Sequence, residues 1–427
     1  MRPATRAITS SSTLSERIVA RTCRCCGAPL DGDDLDLGLA PICNRFSLSD
    51  DAPRHPLVLT MCNACRLIQL RAPPAVSTVM PRAPWIRYNE PEAHLDEFVD
   101  RLFELASMAG RPNPTAMGLG PFEAPLLRRL AARGVSISAP DLLAADADGM
   151  KRDGRFPYLE TWQARLAPQT LGTIAETSGR VDLVSCRYLL EHCHEPITAL
   201  RGFRQLLKPE GVLALEVPGS GKFLAARDYC FPWEEHVCYF VEETLAAVGE
   251  AAGYEFVKLF CYPGRLEDAL IGLFRVRRTP RGGRDEREPG LPKDQFSSYR
   301  AGFAETRAFV RRRLAAVAEQ RRERIALVGL GHQAVTFVNV MGLNDLIGVA
   351  ADDDANKHGY FPPGLDAPVI SSSDLIKKDQ VKMCLLAVSP SSEKKVREKL
   401  APLEARGAQL RSMYAGVSGS ILDGRPS

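Results

Sequence analysis

Apolar and polar positions change rhythm along the chain. Over residues 21–75 the apolar residues come in short runs broken by Gly, Pro and Cys. Such runs bury too little surface to hold a fold without an internal clamp. From 76 to 275 buried strands alternate with helical periods. Asp182-Leu-Val-Ser-Cys186 reads as a buried strand, 197–207 as an amphipathic helix ending at the Lys208-Pro-Glu-Gly211 turn, and Val212-Leu-Ala-Leu-Glu-Val217 as a second buried strand closed by Pro218. This alternation predicts a parallel sheet wrapped by helices.

Pro280, Gly282, Gly283, Pro289, Gly290 and Pro292 stand among charges over 276–294, the composition of an exposed loop and a domain boundary. A long helical stretch over 296–323 follows. Strands are expected over 325–328, near 347–351 and over 383–388, with Gly329-Leu-Gly331 opening a helix after the first of them. That is a second, smaller doubly wound unit. The reading is therefore a tail (1–20), a Cys-rich module (21–75), an α/β core (76–275), a linker loop and helix (276–323), a C-terminal α/β domain (324–415) and a closing tail (416–427). No internal repeat or low-complexity tract interrupts it.

Composition narrows the class. With 45% hydrophobic and 25% charged residues the 427-residue chain matches folded globular proteins, which excludes wholesale disorder or a rod. Apolar runs stop well short of the roughly 18 residues of a membrane span. The first 20 residues lack the apolar core of a secretory signal, and the expected location is the cytoplasm. Net charge is +3, but residues 275–324 hold 15 Lys/Arg against 7 Asp/Glu. Without interleaved aromatics this reads as the solvated face of a linker helix, and no nucleic-acid or membrane partner is expected. Nothing in the sequence sets an oligomeric state.

Six of the twelve cysteines lie in the first 65 residues. Cys23-Arg-Cys-Cys26 and Cys62-Asn-Ala-Cys65 form two Cys-x2-Cys knuckles, each turning two thiolates toward one point. Four soft thiolates suit tetrahedral zinc and leave no position for a catalytic water, so a structural metal is expected at Cys23, Cys26, Cys62 and Cys65. Cys25 and Cys43 are the alternates.

Taken together, these knuckles, Leu190-Glu-His192, Leu207-Lys-Pro-Glu-Gly211, Glu235-His236-Val-Cys-Tyr-Phe240 and Gly329-x-Gly331 with Asn339, Asp352, Lys357 and Pro363-Gly364 resemble the S-adenosylmethionine-dependent C-methyltransferases of nucleotide-linked deoxysugars. The likeness runs from about residue 21 to 415. It implies an α/β protein with a zinc-binding N-terminal module, a Rossmann-like methyltransferase core and a second, smaller Rossmann-like C-terminal domain.

The resemblance also implies a site. The first strand-to-helix loop, with Gly118, Gly120 and Glu123, would cradle the methionine end of S-adenosylmethionine, and Ala139 stands where an acidic residue usually holds the ribose. Ala124 replaces the close-approach glycine, and Pro125 enters near the helix start. His236 and His192 would stand over the sugar ring, with Glu235 preceding His236 and Trp233 where a Tyr is usual. Tyr239 completes that motif on the substrate side. Trp85 and Tyr88 could floor a sugar or base, though packing under the zinc module is the favoured reading; Asn339 and Lys357 would hold the nucleotide-sugar, or else belong to a lid with no ligand of its own; His194 matches no motif.

Carbon methylation needs a proton removed beside a ketone and the enolate held. Imidazole suits the first task, so His236 is the expected base, Glu235 its orienting partner and His192 the donor to the enolate oxygen. The altered loop keeps two further readings open: an isomerase, epimerase or lyase that has lost the cofactor, or a non-catalytic pathway partner. Gly329-Leu-Gly331-His332 with Asp352 also has the layout of a dinucleotide fingerprint lacking its third glycine.

Overall fold

The computed structural model describes residues 21–32, 34–49, 52–81, 83, 85, 90–105, 108, 110–138, 166–277 and 293–425. Tyr88 and Ala139 fall outside these, as do both extreme ends and most of the linker loop.

The N-terminal module is an antiparallel meander, β1 (Asp34–Pro41), β2 (Arg54–Met61) and β3 (Ile68–Leu70). Its fourth strand comes from the core: Cys238–Tyr239 pairs antiparallel with β3. A short helix α1 (Val76–Val79) leads out, and α2 (Leu95–Glu104) opens the core. α2 buries Leu95, Phe98, Val99 and Leu102, the i, i+3, i+4, i+7 stripe of a surface helix.

The core continues through β4 (Thr115–Gly118), α3 (Ala124–Ala132), β5 (Ser136–Ser138), α4 (Pro168–Ser178), β6 (Val181–Arg187), α5 (Pro196–Phe203), β7 (Leu207–Gly219), α6 (Gly221–Ala226), β8 (Cys238–Tyr239), α7 (Glu242–Ala251), β9 (Tyr254–Tyr262) and β10 (Asp268–Val276). Its sheet runs β5-β4-β6-β7-β10-β9, parallel through the first four strands and antiparallel at the last two. Every residue of β6 is buried, as expected of a central parallel strand covered on both faces. Strand order reverses between β4 and β6, and the carboxyl ends of these strands are where such sheets bind ligands. Gly249 of α7 lies against β10 so closely that a Cβ there would stand 2.2 Å from the Phe274 ring.

The expected single linker helix is two, α8 (Lys293–Ala301) and α9 (Phe303–Ala318), broken at Gly302. A Cβ at Gly302 would meet Arg227 Cδ at 2.7 Å, so the break coincides with close contact to the core. The C-terminal domain follows with β11 (Ile325–Val328), α10 (His332–Met341), β12 (Val349–Ala351), β13 (Val369–Ile370), α11 (Ser372–Ile376), β14 (Met383–Leu386), α12 (Pro390–Ala405) and β15 (Gln409–Ser412). Its five strands are all parallel, ordered β13-β12-β11-β14-β15. One apolar cluster joins residues of the N-terminal module, α6, α9 and this domain, so the three units share a core. Among the described residues, no helix is long and apolar enough to cross a membrane.

Candidate active site

The metal cluster sets the geometry of everything near it. Both knuckles bend the same way: the residue after the second cysteine is left-handed, Gly27 at φ 72° and Arg66 at φ 64°. Gly27 N–H donates to Cys23 O at 2.9 Å, and Arg66 N–H to Cys62 O at 2.9 Å. The four sulfurs converge, with Cys23–Cys65 at 3.5 Å and Cys26–Cys62 at 3.6 Å. Sulfurs about 2.3 Å from a tetrahedral zinc lie about 3.8 Å apart, so the set fits the ion. Cys23 Sγ also accepts from the Gln69 amide at 3.2 Å and Cys25 N–H at 3.4 Å, contacts that orient a thiolate. Cys25 is thus a donor beside the cluster, and Cys43 lies elsewhere.

From the second knuckle the chain enters β3, and β3 holds β8. Leu70 N–H donates to Val237 O at 2.9 Å, and Val237 N–H to Glu191 O at 2.7 Å. One residue therefore stitches the segment bearing His236 to the turn bearing Glu191 and His192. The rings of His192 and His236 meet edge to face, centroids 4.7 Å apart. Trp233 lies 4.9 Å from His236 and 5.8 Å from His192, and His332 of the C-terminal domain stacks on it at 4.0 Å. Glu234, pushed up to about 7 chiefly by burial, accepts from Cys43 N–H at 2.5 Å, from the Cys43 thiol at 3.2 Å and from the Trp233 side chain. The Cys43 thiol touches Thr336 Oγ1 at 3.4 Å. Module, core and C-terminal domain thus meet at the histidines.

Burial keeps these imidazoles neutral. Burial holds His192 down to about 3, His332 to about 4 and His236 well below its usual value, with neighbouring rings adding to the fall of His192 and His236. His192 Nδ1 has no hydrogen-bond partner, while the ring bonds the Glu235 backbone. Glu191 went unused in the sequence reading although it stands in the quoted motif. It is 1% exposed, Oε2 has no hydrogen-bond partner, and burial pushes it well above the usual carboxylate range. One ligand atom each of Glu191, His192 and His236 lies within 4.8 Å of the others.

Other expected residues sit differently. Glu235 is buried and accepts from Asn44 Nδ2 at 2.9 Å. Tyr239 is buried with its hydroxyl on the backbone of Trp233, 2.9 Å from N and 3.1 Å from O. Trp85 packs between Phe46 and Tyr360, where module meets C-terminal domain. Lys357 is buried on Asp352 at 3.1 Å and Leu330 O at 3.0 Å, and Asn339 bonds Val335 O and Pro363 O. Asp352 also accepts from Leu330 N–H at 2.8 Å, so the fingerprint loop is closed by its own carboxylate. Trp85, Lys357 and Asn339 therefore hold the domains' own architecture.

In the first strand-to-helix loop Glu123 points inward, bonding Ser185 Oγ and, at 2.7 Å, Arg187 N–H. Gly118 and Gly120 make room for it: a Cβ on Gly118 would stand 2.5 Å from Glu123 Cβ, and one on Gly120 3.3 Å from its carboxylate. The Glu123 carboxylate is thus held by the core's own groups. At the carboxyl edge of the sheet Arg187 is buried against Glu216, which also bonds His94 at 2.9 Å. Half-buried Glu90 and Glu267 face this edge, raised to about 8 and about 7 mainly by burial.

A zinc-clamped α/β core with a second parallel domain closed over two neutral histidines defines a methyltransferase architecture. Residues 23–76 match the family described as a zinc binding domain, 92–259 a methyltransferase domain and 282–412 a C-methyltransferase C-terminal domain. The chain belongs to the S-adenosylmethionine-dependent C-methyltransferases with a zinc-binding N-terminus. Curated proteins gave no match. Among solved structures, an S-adenosylmethionine-dependent methyltransferase from Clostridium acetobutylicum is 11% identical over 44% of this chain and 93% of its own (TM-score 0.30). N-methyltransferase NodS from Bradyrhizobium japonicum is 17% identical over 43% and 98% (TM-score 0.28). The 1,6-didemethyltoxoflavin-N1-methyltransferase from Burkholderia thailandensis, solved with S-adenosylhomocysteine, is 17% identical over 50% and 97% (TM-score 0.26).

Proposed function

We infer that this chain transfers a methyl group from S-adenosylmethionine to a carbon beside a ketone, on a nucleotide-linked keto sugar of a biosynthetic pathway. The observation that carries the chemistry is the pair of neutral imidazoles facing each other beside a buried acid, at a junction of three domains. The carboxyl edge of the core sheet is where the cofactor would sit: the Gly118–Glu123 loop offers main-chain groups, and a cationic methionine end would favour the ionised forms of Glu90 and Glu267 beside it. Bound there, S-adenosylmethionine supplies an electrophilic methyl group.

The chain's own residues prepare the carbon. His236 takes the proton alpha to the carbonyl, so a C–H bond breaks, an N–H bond forms and the electron pair moves toward the carbonyl oxygen. Burial makes His236 a weaker base than free imidazole but keeps it unprotonated at neutral pH; the negative enolate beside it favours the imidazolium once formed. Glu191, held neutral by burial, has the O–H that the enolate oxygen needs. Trp233, clamped by Glu234 and His332, walls the site, and domain closure keeps water from the enolate.

The test uses thymidine- and uridine-diphosphate 4-keto-6-deoxy sugars in deuterated water, with and without methyl-labelled S-adenosylmethionine. Deuterium is expected at the carbon beside the ketone, and a labelled methyl group at the same carbon when the cofactor is present. His236→Ala is expected to lower both by about 10²–10⁴-fold. Equal exchange and transfer in His236→Ala would overturn the assignment. Exchange that never leads to transfer would favour a cofactor-independent isomerase, epimerase or lyase.

A further inference from the structure

The cluster at the junction has a property that proton transfer does not need. Glu191 and His192, adjacent in one turn, and His236 from a second segment bring one ligand atom each within 4.8 Å of the others. Two of the three are orphans: His192 Nδ1 and Glu191 Oε2 are buried without a hydrogen-bond partner. Leaving buried polar atoms unpaired is costly, and buried carboxylates are normally paired or bound to metal. His192 also has the arrangement usual for a metal-ligating imidazole, one ring nitrogen bonded to a backbone carbonyl and the other free. Two neutral histidines and one carboxylate suit a divalent first-row transition ion, with open positions left for water.

We propose that Glu191, His192 and His236 form a second metal site, distinct from the four cysteines, for a divalent transition ion, and that an ion there silences His236 as a base. The ion takes the lone pairs of His192 Nδ1 and one His236 ring nitrogen, and displaces the proton of Glu191 to solvent. No electron is transferred. With its lone pair on the metal, His236 cannot accept a substrate proton, so bound ion and enolisation exclude each other. This last half rests on the base role assigned to His236; the site itself does not.

The experiment starts from full-length protein with zinc in the cysteine cluster and adds cobalt(II) chloride. One further equivalent is expected to bind, giving weak visible bands without the intense near-ultraviolet thiolate-to-cobalt absorption of a cysteine site. Elemental analysis after gel filtration should find one cobalt and one zinc per chain. Glu191→Gln and His192→Asn should each lower cobalt occupancy at least tenfold while retaining zinc, with circular dichroism as the check on folding. Absence of the added cobalt in the wild-type protein, or equal cobalt in both folded variants, would overturn the site. In parallel, deuterium wash-in by the zinc-only protein tests the base alone. Cobalt binding without any wash-in by that protein sinks the base role and leaves the site standing. Wash-in that is undiminished with cobalt bound sinks the exclusion; a fall of tenfold or more supports it.

Discussion

Each buried titratable side chain here is placed by what it touches, and that makes single substitutions informative. Arg187 and Glu216 are 1% and 2% exposed and bind each other, with Arg187 also on Phe122 O and on Pro91 O at 2.9 Å. Arg187→Met leaves a carboxylate with only His94, so urea denaturation should show a loss of about 3–5 kcal/mol. The histidines give a pH signature. Burial sets His192 near about 3 and His332 near about 4, below the unfolded value of 6.5. Below pH 6.5 the unfolded chain therefore binds protons that the folded chain refuses, and stability falls as pH drops from 6.5 toward about 4, with no contribution above. His332→Gln should flatten that fall, measured as the melting temperature against pH. His332 could not be singled out from the sequence, because its partner Trp233 lies 99 positions away in the chain and only closure of the domains brings them together. Glu123 shows the same limit: a polar residue in a loop is legible, but the direction it points is not.

At the scale of elements, what was local was legible. The two knuckles were read from spacing, because four thiolates within short turns need only the turns to form. The buried strand read at 182–186 lies within β6, since a run of apolar residues between turn signals has few other uses in an α/β chain. The visit of β8 to the N-terminal sheet was not legible, for two residues carry no period. Metal removal tests this coupling. A chelator strong enough to strip zinc should unfold the module, release β3 and with it the β8 segment, and so lower the melting temperature of the core as well as the module. Gly249→Ala tests helix-to-sheet packing. The added methyl would lie 2.2 Å from Phe274, and overpacking of about 1–3 kcal/mol should outweigh the roughly 1 kcal/mol gain of replacing a helical glycine.

At the scale of the whole molecule, the site belongs to no single domain. Cys43 comes from the N-terminal module, Glu234 from the core and Thr336 from α10, and all three are buried. Removing Glu234 leaves the Cys43 N–H unpaired, at about 1–3 kcal/mol. Glu234→Ala should therefore shift metal release and Trp fluorescence together to lower urea, whereas separate transitions would mean the units unfold alone. Trp85, packed between Phe46 of the module and Tyr360 of the C-terminal domain, belongs to the same closure.

The central claim is that this scaffold works as a methyl-transfer enzyme, and titration calorimetry with S-adenosylmethionine on the zinc-loaded full-length protein addresses it without knowing the acceptor. One molecule should bind per chain, with S-adenosylhomocysteine competing for the same site. No heat at millimolar S-adenosylmethionine, from protein shown to be folded and zinc-replete, would contradict it.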